Sequence, residues 1–381
     1  MAQRGSNALI LVAGGGAPVV NGTIAGIIDE AGKGMHLADI YGAPSGVLGL
    51  LDGKVNDLSA QKRKTIEGLR RTPGSVLSGR QREITAEEAT QIVGTLRERE
   101  VGTLFALGGV AAVSALRAIV DAAASANYPL IALGVPLSAE NEVPAGDHTP
   151  GFGSSARFTA QCVRDAARGA MGGEEPIVVV EALGAQTGWL AASSVLARDE
   201  ANPAPHSILT PERAVDRENL VEELRRAYQK YGYVVAVTSE GAKDTTGADL
   251  SGDALAQILS EALNLPARCD KPGSLLRANG ANLARADADD AYNLGGLAVR
   301  LSEEDTSNYL VVLNRDAVGG GDRDKGYKTI ESTARLDQVG NEVRALPENY
   351  LSESGTQVTE AFLEWAKPLI GGALPEYVSL G

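Results

Sequence analysis

Three observations predict an α/β fold built on parallel sheet. Apolar runs of strand length alternate along the chain with amphipathic runs of helix length, the pattern of repeated βαβ units. The strand-like runs are hydrophobic almost throughout, as expected where helices cover both faces of a sheet. Turns rich in glycine or carrying acids follow these runs, at the ends of strands where open α/β sheets bind ligands.

In order, "NALILVA" reads as the first strand and "VVNGTIAGIIDEAGK" as its helix. "VGTLFALGG" and "AAVSALRAIVDAAASA" repeat the pair, and "YPLIALGV" is a further buried strand. Downstream, "PIVVVEALG" precedes a helix in "GWLAASSVLA", and "YVVAVTSEG" precedes one in "LSGDALAQILSEAL". The polar tracts "ARDEANPAPHS" and "NRDAVGGGDRDKGYK" read as surface loops, the second a mobile flap. No heptads or short repeats interrupt the series.

Length and composition exclude several classes. A chain of 381 residues, 44% hydrophobic and 22% charged, can bury the cores of two ordinary soluble domains. No run approaches the roughly 20 apolar residues that span a bilayer, and the apolar stretch at the start enters a glycine turn too soon for a signal peptide. The expectation is a cytoplasmic protein with no membrane partner. A formal net charge of −14 argues against a nucleic-acid or anionic-membrane surface, so any phosphate site must be local. Two cysteines and three scattered histidines offer neither a disulfide framework nor zinc-ligand spacing.

Four strand-end turns carry candidate chemistry. In "AGGGAPVVNGTI", Gly15 and Gly16 lead into a helix, where backbone N–H groups can approach an anion. The order of residues is neither the dinucleotide fingerprint nor a phosphate-binding loop with its lysine. In "PGSVLSGRQRE", Arg80 and Arg82 suit a phosphate, although a solvated basic turn has equal claim. Gly108 and Gly109 end the strand in "FALGGVAAVSAL" with no acid after them. The fourth turn is "GVPLSAENEVPAGDHTPGFG", where Glu140 and Glu142 flank Asn141 between Pro136 and Pro144, in a loop just past a strand's carboxyl end.

Together these elements resemble the phosphofructokinase superfamily over most of the chain. The resemblance is carried by "PAGDHTPGFGSSARF", "EALGAQTGWLAA", "VVAVTSEGA", "DADDAYNLGGLAV" and "VTEAFLEWAKPLIGG", in the family's order and spacing, with "GWLAA" and the last stretch closest to its pyrophosphate-dependent branch. It implies two Rossmann-like three-layer domains with parallel sheets and an active-site cleft between them. Residues 1–152 plus about 275–335 would bind the donor, and 153–274 plus about 336–381 the acceptor. It also implies a homodimer or homotetramer, a phosphoryl donor that is ATP or pyrophosphate, Mg2+, and a small-molecule acceptor.

Carried onto this chain, the family's catalytic loop T-I-D-N-D falls on Ser138, Ala139, Glu140, Asn141 and Glu142. The resemblance makes Glu140 the base, or its metal-binding substitute, and Glu142 its partner in holding metal or substrate. Ser138 and Asn141 would contact substrate. An acid beside an ionised neighbour and partly desolvated should have a raised pKa, which suits a base. Both acids are one methylene longer than the family's, a shift able to cost about 100-fold in rate.

Elsewhere the motifs depart. The family's G-G-D-G-S loop reads Gly108, Gly109, Val110, Ala111 and Ala112, so its metal-holding acid is a valine. The lysine and second acid of the pyrophosphate branch fall on Leu137 and Ala111, which leaves ATP and pyrophosphate both open. M-G-R becomes Leu183, Gly184 and Ala185, and an arginine that grips the sugar's 6-phosphate falls on Pro176. Gly184, Glu240, Arg277 and Arg285 remain as candidate acceptor contacts, although the family's G-Y/H-x-Q-R before Asp287 is missing. Two functions stay open: a phosphotransferase acting on an acceptor other than fructose 6-phosphate, and a non-catalytic or non-kinase relative that serves as a ligand-binding regulatory subunit.

Overall fold

In a computed structural model, which describes residues 5–14, 16–34, 36–77, 79, 82–316 and 328–378, the chain forms two compact units. One comprises residues 1–152 and 277–343, the other 153–276 and 344–381. The elements run β1 (Ser6–Val12), α1 (Val20–Ala31), β2 (Leu37–Gly42), α2 (Val47–Leu51), β3 (Asn56–Asp57), α3 (Arg63–Leu69) and α4 (Ala86–Glu98). Next come β4 (Val101–Gly108), α5 (Val110–Ser125), β5 (Ile131–Pro136), α6 (Phe152–Ala170), β6 (Ile177–Ala182), α7 (Trp189–Ser193) and β7 (Ser207–Leu209). The chain continues through α8 (Arg217–Tyr231), β8 (Val234–Ser239), α9 (Gly252–Leu263), β9 (Ala267–Asp270), α10 (Arg285–Glu303), β10 (Tyr309–Arg315), β11 (Thr329–Arg335) and α11 (Glu360–Ala366).

The first unit is a seven-stranded sheet in the order β11-β10-β5-β4-β1-β2-β3. Its five central strands are parallel, and all eight residues of β4 are buried. Successive β4 residues face opposite cores. Phe105 and Leu107 join α1 and α10, while Leu104 and Ala106 join α4 and α5. The sheet is therefore a three-layer sandwich. Connections from β1 run through α1 to β2, and those from β4 run through α5 to β5 on the opposite face and in the opposite direction, so the strand order reverses between β1 and β4.

Two small-residue contacts let α1 and α10 approach backbone to backbone. A Cβ on Gly26 would stand 2.1 Å from the Tyr292 carbonyl oxygen, and one on Gly295 would stand 2.4 Å from that of Thr23. The Thr23 hydroxyl donates to the Ala291 carbonyl at 3.0 Å across the same seam.

The second unit is a fully parallel four-stranded sheet, β7-β8-β6-β9. Leu220, Leu224, Leu255 and Leu259 from α8 and α9 cover one of its faces. Trp189 of α7 packs on Phe362 and Trp365 of α11, which ties the returning carboxyl-terminal segment to this unit.

The large sheet is parallel-dominated as expected, with single antiparallel strands at its two edges, β3 beside β2 and β11 beside β10. Two other expectations are corrected. The stretch read as a helix from Gly188 to Ala197 is α7 followed by a 3-10 turn over Ser194–Ala197. The tract read as a loop from Asn314 begins inside β10, with β11 following directly after Lys328; residues 317–327 lie outside those described.

Candidate active site

The strand order reverses between β1 and β4, and two glycine turns stand at their carboxyl ends, the position where a doubly wound sheet binds ligands. The Gly108 φ of +138° is one that a side chain rarely adopts, and a Cβ there would stand 2.3 Å from the Ala13 carbonyl oxygen. Gly14, also with positive φ, faces the methyl of Ala111 at the start of α5. Gly16 is open on its Cβ side, while Gly15 falls outside the described residues.

The acidic loop that follows β5 reaches the second of these turns. Asn141 turns the chain with φ of +56°; its side chain is fully buried, and its Oδ1 accepts the Thr149 N–H at 2.8 Å. The loop's far end is pinned where the Gly151 N–H donates to buried Asp287, at 2.7 Å. The turn sends the two acids to different partners. Glu140 Oε1 accepts from Arg277 Nη2 at 2.9 Å, both side chains half-buried. Glu142 instead lies on the second glycine turn, where a Cβ on Gly109 would stand 2.1 Å from its Oε1. The Val110 N–H reaches that oxygen at 3.4 Å.

Burial raises the pKa of Glu142, and the neighbouring Glu140 charge adds to the rise; the Val110 N–H and Arg277 act in the other direction. Ser138 is buried and its hydroxyl accepts the Glu140 N–H at 3.1 Å, so it braces the loop. Asp147 is held below the usual carboxylate range by His148 and Arg315, which outweigh its desolvation.

The candidate cations divide. Arg277 joins the acidic loop. Arg285, on the first turn of α10, is 93% exposed and faces Asp289 at 3.5 Å. Arg82 Nη2 lies 2.5 Å from Glu88, whose other oxygen accepts the Thr85 N–H in the capping box of α4. Arg82 is therefore engaged at a helix start, and Arg80 lies outside the described residues. The signal for this was present in the sequence, since Thr85 followed three residues later by a glutamate announces such a cap.

In the second unit, the ends of β6 and β8 meet. The Gly184 N–H donates to Glu240 Oε2 at 3.0 Å, and the Ser239 hydroxyl donates to the Gly184 carbonyl. Ala185 packs its carbonyl so close to Gly241 that a Cβ there would stand 2.0 Å away. Gly184 and Glu240 are thus brought together, at a strand end with no cation in the place of the family's arginine.

Two residues that brace the turns beside the candidate site escaped sequence reasoning. Buried Asn21 accepts the Val76 N–H at 2.8 Å and donates to the Thr72 carbonyl at 3.1 Å, which fixes the turn at Gly74 beside the Arg277 backbone. An asparagine inside an apolar helical pattern was the available sign. Arg315 was hidden in a tract read as loop.

The Mg2+ that the resemblance implies has no ready ligand set. Val110 replaces the acid of the glycine turn, Glu140 is tied to Arg277, and Glu142 rests on the Val110 N–H group. Among the described residues no three His, Cys, Asp or Glu side chains converge on a metal position. No helix there is long and apolar enough to cross a membrane.

Comparison with known proteins agrees with this layout. A family model described as Phosphofructokinase matches residues 7–301. A pyrophosphate–fructose 6-phosphate 1-phosphotransferase from Rhodospirillum rubrum is 28% identical, with 96% of this chain and 95% of that protein covered. A sulfofructose kinase from Alkalicoccus urumqiensis is also 28% identical over 94% of each. The crystal structure of a pyrophosphate-dependent phosphofructokinase from Nitrosospira multiformis superimposes with a TM-score of 0.89, at 26% identity, over 98% of this chain and 94% of that one.

Proposed function

Because the chain belongs to the phosphofructokinase family and is a phosphotransferase of that kind, we propose that it moves the terminal phosphoryl group of ATP or pyrophosphate to a hydroxyl of a small molecule other than fructose 6-phosphate. The observation that carries this reading is the Glu140 carboxylate, half-buried on the loop after β5 and oriented by Arg277. A base must come within hydrogen-bond reach of the proton it removes, and a carboxylate held on one oxygen by an arginine N–H keeps a defined direction of approach for the other. Glu140 takes the acceptor's hydroxyl proton as that oxygen bonds to the terminal phosphorus. The bridging P–O bond breaks, and ADP or phosphate leaves with the bond's electrons.

The glycine turns after β1 and β4 offer backbone N–H groups and the amino end of α5 to the donor's phosphates. Such transfer depends mostly on positioning and on neutralising the phosphate oxygens. Mg2+ supplies that neutralisation when bound, although the carboxylates of this chain do not form a ready site for it. Missing cations bear on the acceptor. Ala185 and Pro176 stand where cations would grip fructose 6-phosphate, while two relatives that act on different sugars are equally similar to this chain.

A second reading, a ligand-binding subunit without catalysis, is favoured by one observation: Glu142 lies in the glycine turn that a donor would use. A 31P NMR screen with ATP and pyrophosphate against a panel of sugars and sugar acids, including sulfofructose, separates the two. Transfer to any acceptor supports the first reading. Binding without any consumption of donor supports the second.

A further inference from the structure

We infer that Glu142 occupies the anion seat at the amino end of α5 with the chain's own carboxylate, so that a polyphosphate donor binds only after Glu142 has left it. The inference rests on the reading that the donor uses the glycine turns after β1 and β4.

The seat is defined by geometry. α5 is 16 residues long and begins after Gly109, which has no side chain to cap it. Its first turn, Val110 to Ala112, carries no acid. The Ala112 N–H turns back to the Gly109 carbonyl at 2.9 Å, so those of Val110 and Ala111 are the ones left without an intrahelical partner. They lie at the carboxyl end of β4, beside the point where the strand order reverses. The group that reaches Val110 comes from 32 residues downstream, and the absence of a Cβ on Gly109, which would stand 2.1 Å from its oxygen, leaves room for it. A phosphate oxygen in this seat would need the same clearance.

Glu142 holds the seat weakly. Its contact with the Val110 N–H is 3.4 Å, longer than an ordinary N–H···O bond. Its carboxylate is desolvated, and the Glu140 charge opposes it. A diphosphate brings more negative charge and more acceptor oxygens to the same N–H groups, so it can displace the carboxylate and release it to water. Glu142 then acts as a built-in competitor that sets how much donor is needed. The extra methylene relative to aspartate matters here, since it lets the carboxylate extend from the loop to Gly109.

The test is calorimetric titration of the wild-type protein, Glu142→Asp and Glu142→Gln with pyrophosphate and with the β,γ-imido analogue of ATP, at one fixed magnesium concentration. Glu142→Asp keeps the charge and shortens the reach, whereas Glu142→Gln keeps the reach and removes the charge. Both variants are expected to bind at least one polyphosphate about tenfold tighter than wild type, the order of one charge-assisted hydrogen bond no longer contested. Equal binding by all three, or a gain in Glu142→Gln alone, overturns the inference and leaves the phosphotransferase reading intact. Failure of all three to bind either probe at millimolar concentration removes the inference together with its donor site. If a variant does not fold, a wild-type crystal soaked in pyrophosphate decides. Diphosphate on the Val110 N–H with Glu142 turned away supports displacement, and diphosphate bound with Glu142 still on Gly109 refutes it.

Discussion

Arg277 Nη2 stands 2.9 Å from Glu140 Oε1, which joins a residue from the start of the returning segment to the loop after β5. The two have separable roles in the proposed reaction. Glu140→Gln keeps shape and a hydrogen-bond acceptor but cannot take a proton, so kcat for whatever acceptor the protein uses should fall about 100-fold or more. Arg277→Met should lower kcat by less than Glu140→Gln, because the base remains but loses the group that orients it, and should also raise the acceptor KM by removing a cation beside the base. Thermal melts of both variants should stay close to wild type, because a partly exposed ion pair contributes roughly 0 to 1 kcal/mol. Steady-state kinetics of the two variants, resolved into separate kcat and KM effects, check the division. Full activity in Glu140→Gln would make the acids bystanders.

How much of this was legible in the sequence depended on burial. Strands β1, β4, β5, β6 and β8 could be read directly, because burial on both faces gives each a central apolar run. By contrast β11, with the sequence TIESTAR, sits at the sheet edge with only partial burial, and β3 is two residues long, so neither leaves a hydrophobic signal. The acidic loop was found from its position, and the place of Arg277 only through family resemblance. The destination of Glu142 was not legible. It depends on the left-handed turn at Asn141 and on the missing Cβ of Gly109, a meeting of residues 32 positions apart that no local pattern encodes.

His206 gives a pH prediction for the second unit. It is buried, its Nδ1 accepts the Val235 N–H at 3.0 Å, and burial reinforced by nearby Arg198 lowers its pKa to about 4. The unfolded chain protonates this histidine near its ordinary value of about 6.5. Its contribution is therefore fully present above that pH and is lost as pH falls from about 6.5 to about 4, by about 3 kcal/mol. Urea unfolding of wild type and His206→Asn across this range should show the steeper loss in wild type; parallel curves would rule it out.

The seam between α1 and α10 gives a stability prediction with an internal control. Gly26→Ala places a methyl into the Tyr292 carbonyl, a backbone group with little freedom to retreat, and should destabilise by on the order of 3 kcal/mol. On helix α4, Gly94 meets nothing within 4 Å, so Gly94→Ala should stabilise by about 0.5 to 1 kcal/mol. Denaturant midpoints with unchanged slopes are the readout. Equal effects of the two substitutions would contradict the close approach.

The last prediction concerns the acceptor. Fructose 6-phosphate carries a dianionic group, and holding it requires cations placed to meet its oxygens. In this chain Pro176 leads into β6, where its carbonyl accepts the Val234 N–H at 2.8 Å, and Ala185 presses its carbonyl against Gly241. Both backbones are committed to the sheet and its turn, and neither side chain carries a charge for a phosphate. At the donor side Val110 opens α5 without the acid that would hold a metal. Each departure weakens a different part of the same reaction, and independent effects of this kind multiply in rate. Turnover with fructose 6-phosphate should therefore fall well below the roughly 10 s⁻¹ of an ordinary enzyme. Ala185→Arg should not restore it alone, because Pro176 still supplies no cation and Val110 still supplies no carboxylate. The measurement is a coupled assay of fructose 1,6-bisphosphate formation with ATP and with pyrophosphate; robust turnover with either donor would show that other cations have taken over and that the acceptor is the family's usual sugar.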